Sequence, residues 1–514
     1  MPFSLFPFSS SALRCALCHP KEVEGYSRSA MSRSLRRPEN EPQGEFVHSV
    51  SGTKFTVFAN AEGLWQRMER DGEVSENHVE YVVGSGNHAS GYLVRIGDQL
   101  FQSPIAYYSR LKRYDMAPGY EEFPAPDFYR PITEECLLCH SGKPLLIDGT
   151  LNEYPSPAFE QESISCDRCH GDPARHLRAP LPGTIINPAK LVPAARNSIC
   201  EQCHLKGIVR VLNPGKDFGD FHPGETLEHV YTVYTPRVPA DSPREALKVV
   251  SHAEQLALSL CARRSNGRLW CGTCHNPHDQ SQQPPQYYRS RCMSCHAGNL
   301  AKSHPQGTAG NCIACHMSKR SARDGGHTVF TDHRIARRLR PDTEKEIPAT
   351  GDLIAWREPP TDLQLRNLAL AYVSAGLDSD SVSQCLRGYR MLLDAEKHSP
   401  NDPAVLTGLA RGLLAGHHAA EAAKLFEHVL ELGPDTAMAE EDTGMAFMRA
   451  GQTDKALEHL ERAVQLDPLL LPAAKSLAQI YRQQGETAKL DGLAVRVRQA
   501  LGKSAPQAAG TAEH

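Results

Sequence analysis

Fourteen of the sixteen cysteines fall into one local pattern, Cys-x-x-Cys-His, which recurs seven times in the first 316 residues. The seven are Cys15/Cys18/His19, Cys136/Cys139/His140, Cys166/Cys169/His170, Cys200/Cys203/His204, Cys271/Cys274/His275, Cys292/Cys295/His296 and Cys312/Cys315/His316. Two thiols three residues apart, followed at once by an imidazole, form the attachment pattern of a c-type haem. The sulfurs bond the two vinyl groups, the histidine ligates the iron, and one turn of chain brings all three side chains to one rigid macrocycle. Thiol pairs also build zinc ribbons, redox dithiols and iron–sulfur sites, but none of these needs a histidine directly after the second cysteine. Histidine is 24 of 514 residues, so a chance match at one pair is roughly a one-in-twenty event, and seven from seven is not chance. We therefore expect about seven covalent haems, with the fourteen thiols as attachment points and the seven motif histidines as proximal ligands.

That expectation governs the fold. The first 340 residues are rich in Pro, Gly and Arg and poor in long apolar runs. Such a chain buries too little by itself, so the macrocycles are expected to supply the missing apolar core and to make folding depend on the cofactor. Cys261 and Cys385 stand outside the motifs and read as small buried apolar residues. A net charge of −4 and the lack of a basic run leave no electrostatic footprint for nucleic acid. Haem is attached to thiols outside the bacterial cytoplasm, so a periplasmic or surface location is expected. The first residues, MPFSLFPFSSSALRCALCHP, have only a weak apolar stretch with the first positive charge at Arg14, and we expect a signal sequence upstream of them. No stretch is long and apolar enough to span a bilayer.

The chain reads as mainly α with a β-rich insert, in six parts. Residues 1–44 carry the first motif and a predicted helix over HPKEVEGYSRSAMSRSL, ending before Pro38. Residues 45–115 predict an antiparallel meander of about four to six strands, from FTVFA, HVEYVV, GYLVRIG and QLFQSPIAYY with turn residues between them. Residues 116–340 hold six motifs in Pro/Gly-rich text of low regular structure, with one amphipathic helix from about Pro243 to Ala262. A linker over 341–361 follows. Over 362–502, Pro400, Pro434 and Pro468 repeat every 34 residues, and Gly416, Gly451 and Gly485 repeat at 35 and 34. This is the tetratricopeptide period, predicting an α-solenoid of helical hairpins with a concave face. An earlier unit from Leu363 to Pro400 has Gly376 and Gly416 40 apart, which implies an insertion. Residues 503–514 read as a disordered tail.

A c-type haem needs a sixth ligand unless its iron is kept open for chemistry. Eleven further histidines lie in this region: His48, His78, His88, His176, His222, His229, His252, His278, His304, His327 and His333. That supply permits bis-histidine ligation throughout. His176 lies six residues past His170, and His278 three past His275, both placed to reach a neighbouring iron; His252 sits on the predicted helix before the fifth motif.

CDRCHGDPARH, SHAEQLALSLC before WCGTCHNPH, CIACHMSKR and HTVFTDHRI resemble the multihaem cytochromes related to cytochrome c-554, especially those fused to tetratricopeptide repeats. The resemblance covers nearly the whole chain, which departs from cytochrome c-554 in its seven motifs, its β segment and its lack of an obvious signal. It implies closely packed, mostly bis-histidine haems in electron transfer, with His176, His252, His278, His327, His333 and His88, then His78, as distal ligands. Met31 is a further candidate for the first haem, against its plain role as a helix-packing methionine. Arg168, Arg175, Arg263 and Arg264 are expected to neutralise haem propionates. The function expected is electron transfer, with a redox protein docking on the cytochrome surface or the repeats. The alternative is an oxidoreductase acting on a small nitrogen or sulfur compound at one open-face haem. No Cys-x-x-Cys-Lys variant is present.

Overall fold

The computed structural model describes residues 14–237, 247–279, 284–296, 311–336 and 351–502. The chain start, His304, the first half of the expected linker and the expected tail lie outside these.

A nine-stranded antiparallel sheet forms first, from β1 (Leu35–Arg36), β2 (Gly44–Val47), β3 (Lys54–Asn60), β4 (Gly63–Arg70), β5 (Glu73–Val83), β6 (Ala89–Ile96), β7 (Gln99–Tyr108), β8 (Arg113–Met116) and β9 (Arg130–Pro131). Strands β2 to β8 run as a simple meander, while β1 pairs with β5 and β9 with β7. The sheet exceeds the expected four to six strands because the two-residue β1 and β9 join it from outside residues 45–115, and the four-residue β2 and β8 are too short to show a clear alternating signal. Asp71 and Gly72, both at positive φ (53° and 82°), make the two-residue turn between β4 and β5 that matches strand twist. A bulge at Val79/Tyr81 splits β5, whose first half pairs with β4 and second half with β6. Phe55, Val57, Val79, Tyr92, Val94 and Phe101 are buried in its core.

The helix expected up to Pro38 stops early. It spans α1 (Pro20–Ser27), after which Ser32 Oγ donates to the carbonyls of Ser27 and Ser29, both at 3.0 Å. Hydroxyls competing for backbone partners end a helix, and buried Leu35 then joins the sheet as β1. Short helices carry the later motifs: α2 (Glu134–Leu138), α3 (Asp167–His170), α4 (Ala174–Arg178) just after it, and α5 (Pro193–His204). The helix expected over Pro243 to Ala262 is two, α6 (His252–Leu258) and α7 (Leu260–Arg264), with 243–246 outside the described residues. Ser259 is extended there, and its hydroxyl caps α7 by accepting from the Ala262 amide. Then come α8 (Cys271–Cys274), α9 (Pro285–His296) and α10 (Cys312–His316). Small sheets brace them: β10 (Lys143–Pro144) with β11 (Phe159–Gln161); β12 (Val209–Leu212) with β13 (Tyr231–Pro236); and β14 (Lys319–Ser321) with β15 (Val329–Thr331).

The described part of the expected linker is structured. Leu353–Ala355 is β16, a third strand beside β13, and Trp356 and Arg357 beyond it are bonded to α5.

Eight helices follow: α11 (Gln364–Asp378), α12 (Val382–Glu396), α13 (Pro403–Ala415), α14 (Ala419–Leu432), α15 (Ala437–Arg449), α16 (Thr453–Leu466), α17 (Leu471–Gln484) and α18 (Thr487–Ala500). They pack as four successive hairpins on Ala-rich contacts such as Ala422, Ala446, Ala456 and Ala473, all wholly buried. The left-handed turn positions are Asp380, His417, Gly451 and Gly485, spaced 37, 34 and 34. Gly376 is therefore not the first turn. It lies inside α11, where a Cβ would come 2.6 Å from the Cys385 amide, and buried Cys385 packs against it. Both ends of the array are tied down. At one end, Asn367 of α11 donates to Asn213 (3.0 Å) and Thr232 (3.1 Å) beside β12 and on β13. At the other, Gln99 of β7 donates to Asp467 (2.8 Å), and Leu469 enters the core of the large sheet.

Candidate functional site

Each motif sits on a helical turn. The backbone amide of His19 reaches the Cys15 carbonyl (2.8 Å), that of His170 the Cys166 carbonyl (2.9 Å) and that of His275 the Cys271 carbonyl (2.8 Å). A single turn thus presents both thiols and the imidazole from one end of a helix, and in α5 and α9 the motif forms the last turn.

Several imidazoles are also tied at one nitrogen. His170 Nδ1 lies 2.8 Å from the Ile186 carbonyl, His316 Nδ1 2.7 Å from that of Ala336 and His333 Nδ1 2.9 Å from that of Thr331. His176 Nδ1 meets the Thr184 hydroxyl at 2.9 Å. A carbonyl accepts only from a protonated Nδ1, which fixes the tautomer and leaves Nε2 as the free ligand nitrogen.

Motif histidines are then met by imidazoles from distant sequence. His19 faces His176 with ring centres 6.3 Å apart and planes 23° apart; His170 faces His278 at 5.8 Å and 9°. His275 faces His333 at 6.1 Å and 30°, and His204 faces His252 at 5.2 Å and 87°. Two imidazoles closing one metal from opposite sides, each with a metal–nitrogen bond of about 2 Å, would have ring centres roughly 6 Å apart. The residues present fit that group. Burial depresses His278, His333 and His275 below the ordinary imidazole range. His252 falls to about 3, through burial and then the adjacent His204 and His333. Neutral imidazole is the form that ligates a metal.

Other candidates lie elsewhere. His78 sits on β5 with its ring edge-on to Trp65 across the β4–β5 ladder, 5.2 Å away, because strand alternation turns it onto that pair. His327 is held by the Asp115 carboxylate (3.1 Å) against Tyr108. His88 packs on Phe330 at 4.5 Å, beside the His252 cluster but against no motif imidazole among the described residues. His48 bonds Ser51 and the Glu121 carbonyl. Met31 is on a single 3-10 turn, and the ring facing His19 is that of His176. His140 packs inside with its pKa lowered by burial, and no imidazole faces it among the described residues.

Thiols of different motifs also meet in pairs. The sulfurs of Cys15 and Cys166, Cys139 and Cys203, Cys200 and Cys271, and Cys292 and Cys312 are neighbours. Cys169 lies within electrostatic range of Cys200, and Cys274 of Cys295. In space the motifs therefore run first, third, fourth, fifth, sixth, seventh, with the second beside the fourth.

The fourteen expected attachment thiols are not alike in setting: Cys18, Cys136, Cys295 and Cys315 are exposed and the other ten are partly covered. The local reason differs at the two ends of the motif series. Cys18 stands beside Leu17, itself 86% exposed, on the outer side of the turn that precedes α1. Cys315 belongs to α10, a five-residue helix that buries none of its side chains. For these two thiols the case for attachment is carried by the motif spacing, not by surrounding protein.

Three elements of the site had no clear sequence signal. Gly25 lies inside α1, where a Cβ would collide with the His278 carbonyl; its only trace was a glycine within a helical run. Glu201, between the cysteines of the fourth motif, pairs with Arg357 at 2.6 Å, a link across 156 residues. Arg210 on β12 stands among the second and fourth motifs, brought there by the β12–β13 hairpin.

No family model and no curated protein matches the chain. Among solved structures, it is similar to "Crystal structure of MamA protein" at 18% identity, covering 26% of this chain and 73% of that one, with a TM-score of 0.24. "MamA MSR-1 C2" matches at 20% identity over 28% and 87% with a TM-score of 0.24, and the NMR structure of the first TPR domain of the human RPAP3 protein at 14% over 25% and 98% with 0.22. At these scores the likeness adds nothing to what the eight helices show by themselves: the chain is a β-rich sheet and a motif-bearing region followed by stacked helical hairpins.

Proposed function

We propose that the chain is a multihaem c-type cytochrome that carries single electrons through about seven covalently attached, mostly bis-histidine haems outside the cytoplasm. The observation that carries this reading is the set of four imidazole pairs between motif histidines and His176, His278, His333 and His252. Haem supplies a one-electron iron couple whose potential follows its ligands, burial and surrounding charge. The chain's own part is positional. Its helical turns hold thiols and imidazole together, its backbone carbonyls fix the imidazole tautomers, and the nearness of successive motifs would bring neighbouring haems close. The repeat array adds a concave face on which a redox protein docks.

The test is a haem count and an electron paramagnetic resonance spectrum on protein produced with a haem-attachment system. Seven haems, with low-spin signals dominant, support the reading. Absence of covalent haem overturns it. A second reading rests on motif imidazoles such as His140 and His296, which no other imidazole faces among the described residues: an oxidoreductase with one open-face haem, acting on a small nitrogen or sulfur compound. A high-spin fraction near one seventh would favour it.

A further inference from the structure

Charge is laid unevenly along the chain. From Leu260 to Arg340 the sequence holds thirteen Lys and Arg against three Asp and no Glu, a net +10 in a chain of net −4. That stretch carries the fifth, sixth and seventh motifs. Three haems with two propionates each would still leave a surplus of about four positive charges. The three aspartates are engaged elsewhere. Asp332 is 4% exposed and meets Arg320 and Arg334. Asp324 takes Lys206 at 3.4 Å and the Val249 amide at 2.8 Å, and Asp279 lies beside Gly25 of α1.

The cations that remain surround the open end of the motif series. Helices α9 and α10 bury none of their side chains, and Cys295 and Cys315 on them are exposed. The two helices meet at Cys292 and Cys312, and α7 comes alongside with Cys261 near Cys292. Arg263 and Arg264 on α7, Arg291 on α9 and Lys319 just past α10 are exposed. None of these four pairs with a carboxylate among the described residues. The break at Ser259 also leaves Leu258 and Leu260 50% and 46% exposed, within a turn or two of Arg263 and Arg264. Apolar side chains with a charged rim are the anatomy of a transient protein interface, and a field of one sign steers the encounter. The first motif is open too, at Cys18, but α1 there mixes Lys21 and Arg28 with Glu22 and Glu24, and Glu24 pairs with Arg28 at 3.0 Å.

We propose that the sixth and seventh motifs form the electron-exchange end of the chain, where a redox protein with a carboxylate-rich face docks on Arg263, Arg264, Arg291 and Lys319. The patch surrounds exposed attachment thiols, so its partner is one that trades electrons, which neither a nucleic acid nor a lipid surface does. One electron crosses between the partner's one-electron centre and iron; one is oxidised, the other reduced, and no atom is transferred.

This inference deepens the electron-transfer reading and rests on it, and one set of measurements separates the two. The probe is flavodoxin, an acidic one-electron carrier. Its binding to the haem-loaded full chain is measured by interferometry, and haem reduction by its reduced form is followed by stopped flow, from low to high salt. Parent binding should weaken at least tenfold as salt rises, with the reduction rate falling in step. Arg291→Glu with Lys319→Glu, and separately Arg263→Glu with Arg264→Glu, should weaken low-salt binding about tenfold while keeping seven haems. Lys21→Glu with Arg28→Glu, at the other end, should leave it unchanged. If one basic-end variant loses haem, the other decides. Unchanged binding with seven haems in the basic-end variants overturns the inference and leaves the haem reading intact, as does an equal loss at the first motif. Parent capture of phosphatidylglycerol vesicles without binding of flavodoxin assigns the patch to a membrane and overturns it as well. Parent protein without covalent haem removes the underlying reading itself.

Discussion

Arg357, on the segment between β16 and the repeat array, makes a buried ionic link to the motif region, and its removal has a calculable cost. Its guanidinium meets Glu201 at 2.6 Å, grips Glu228 through Nε at 3.0 and 3.1 Å, and donates to the Ser198 hydroxyl at 2.9 Å. The two carboxylates are 7% and 8% exposed. Arg357→Met keeps the volume but leaves two interior carboxylates without a counter-ion. Breaking a buried pair by removing one partner costs about 3–5 kcal/mol, a large share of a stability of roughly 5–15 kcal/mol. Burial already raises the Glu201 pKa even with Arg357 opposing it. A carboxylate raised in the folded state is tolerated while protonated, and stability is lost as pH rises through the folded pKa. The deficit of Arg357→Met should thus grow from mildly acidic to neutral pH. The assay is guanidinium unfolding of haem-loaded protein followed by circular dichroism at several pH values. A loss below about 1 kcal/mol at neutral pH, or one independent of pH, would refute the reasoning, since surface pairs already reach that size. Adding Glu201→Gln and Glu228→Gln should recover most of the loss, because neutral amides need no counter-ion.

Gly25→Ala should displace the loop bearing His278 and cost the protein one low-spin signal while leaving seven covalent haems, as read by resonance spectrum and haem stain. The perpendicular His204–His252 pair, unlike the three nearer to parallel, should give its own large-g low-spin signal, and His252→Ala should remove that signal alone. Gly388→Ala in α12 should destabilise the first hairpin by about 1–3 kcal/mol through overpacking, since its Cβ would meet the Ala369 carbonyl and the Val373 amide at 2.7 Å; thermal unfolding measures this. Glu441 in α15 is pushed up to about 7 by burial and then by Asp442 and Asp467. Its penalty appears as pH rises from the ordinary carboxylate range through about 7, so Glu441→Gln should add stability on the order of 1 kcal/mol above that range and nothing in acid, allowing for its partial exposure; unfolding at the two pH values measures the difference.

Local chemistry was readable and long-range pairing was not. The motifs are complete within five residues, so the text displays them whole. What it does not display is enclosure, and the exposed Cys18 and Cys315 carry the same local pattern as the partly covered Cys139 and Cys203. The repeats announce themselves by period, yet the first turn does not follow the glycines: Gly376 serves close helix contact, and the left-handed turn falls to Asp380, a residue type that tolerates that conformation. The partners His176 for His19 and His278 for His170 lie over a hundred residues away, and nothing in local spacing encodes which meets which. The resemblance implies His78 and His327 as further ligands; the structure places His78 on a strand ladder and His327 against Asp115, both at the large sheet. The text from Leu353 to Arg357 reads as linker because the strand β13 and the carboxylates Glu201 and Glu228 that receive it come from more than 100 residues upstream.

A helical solenoid is by nature a spring, free to flex at whichever end is untethered. Here Asn367 fastens the first helix beside the fourth motif and Asp467 with Leu469 fastens the last hairpin to the large sheet. A spring clamped at both ends does not lengthen or swing; it can only transmit load. A protein that seats in its concave face and alters its curvature must therefore pull on the clamps. The nearer clamp runs through Trp356 and Arg357 into the helix that carries Cys200, Cys203 and His204. Arrival of a partner would be felt as tension at the fourth motif, at the far end of that clamp.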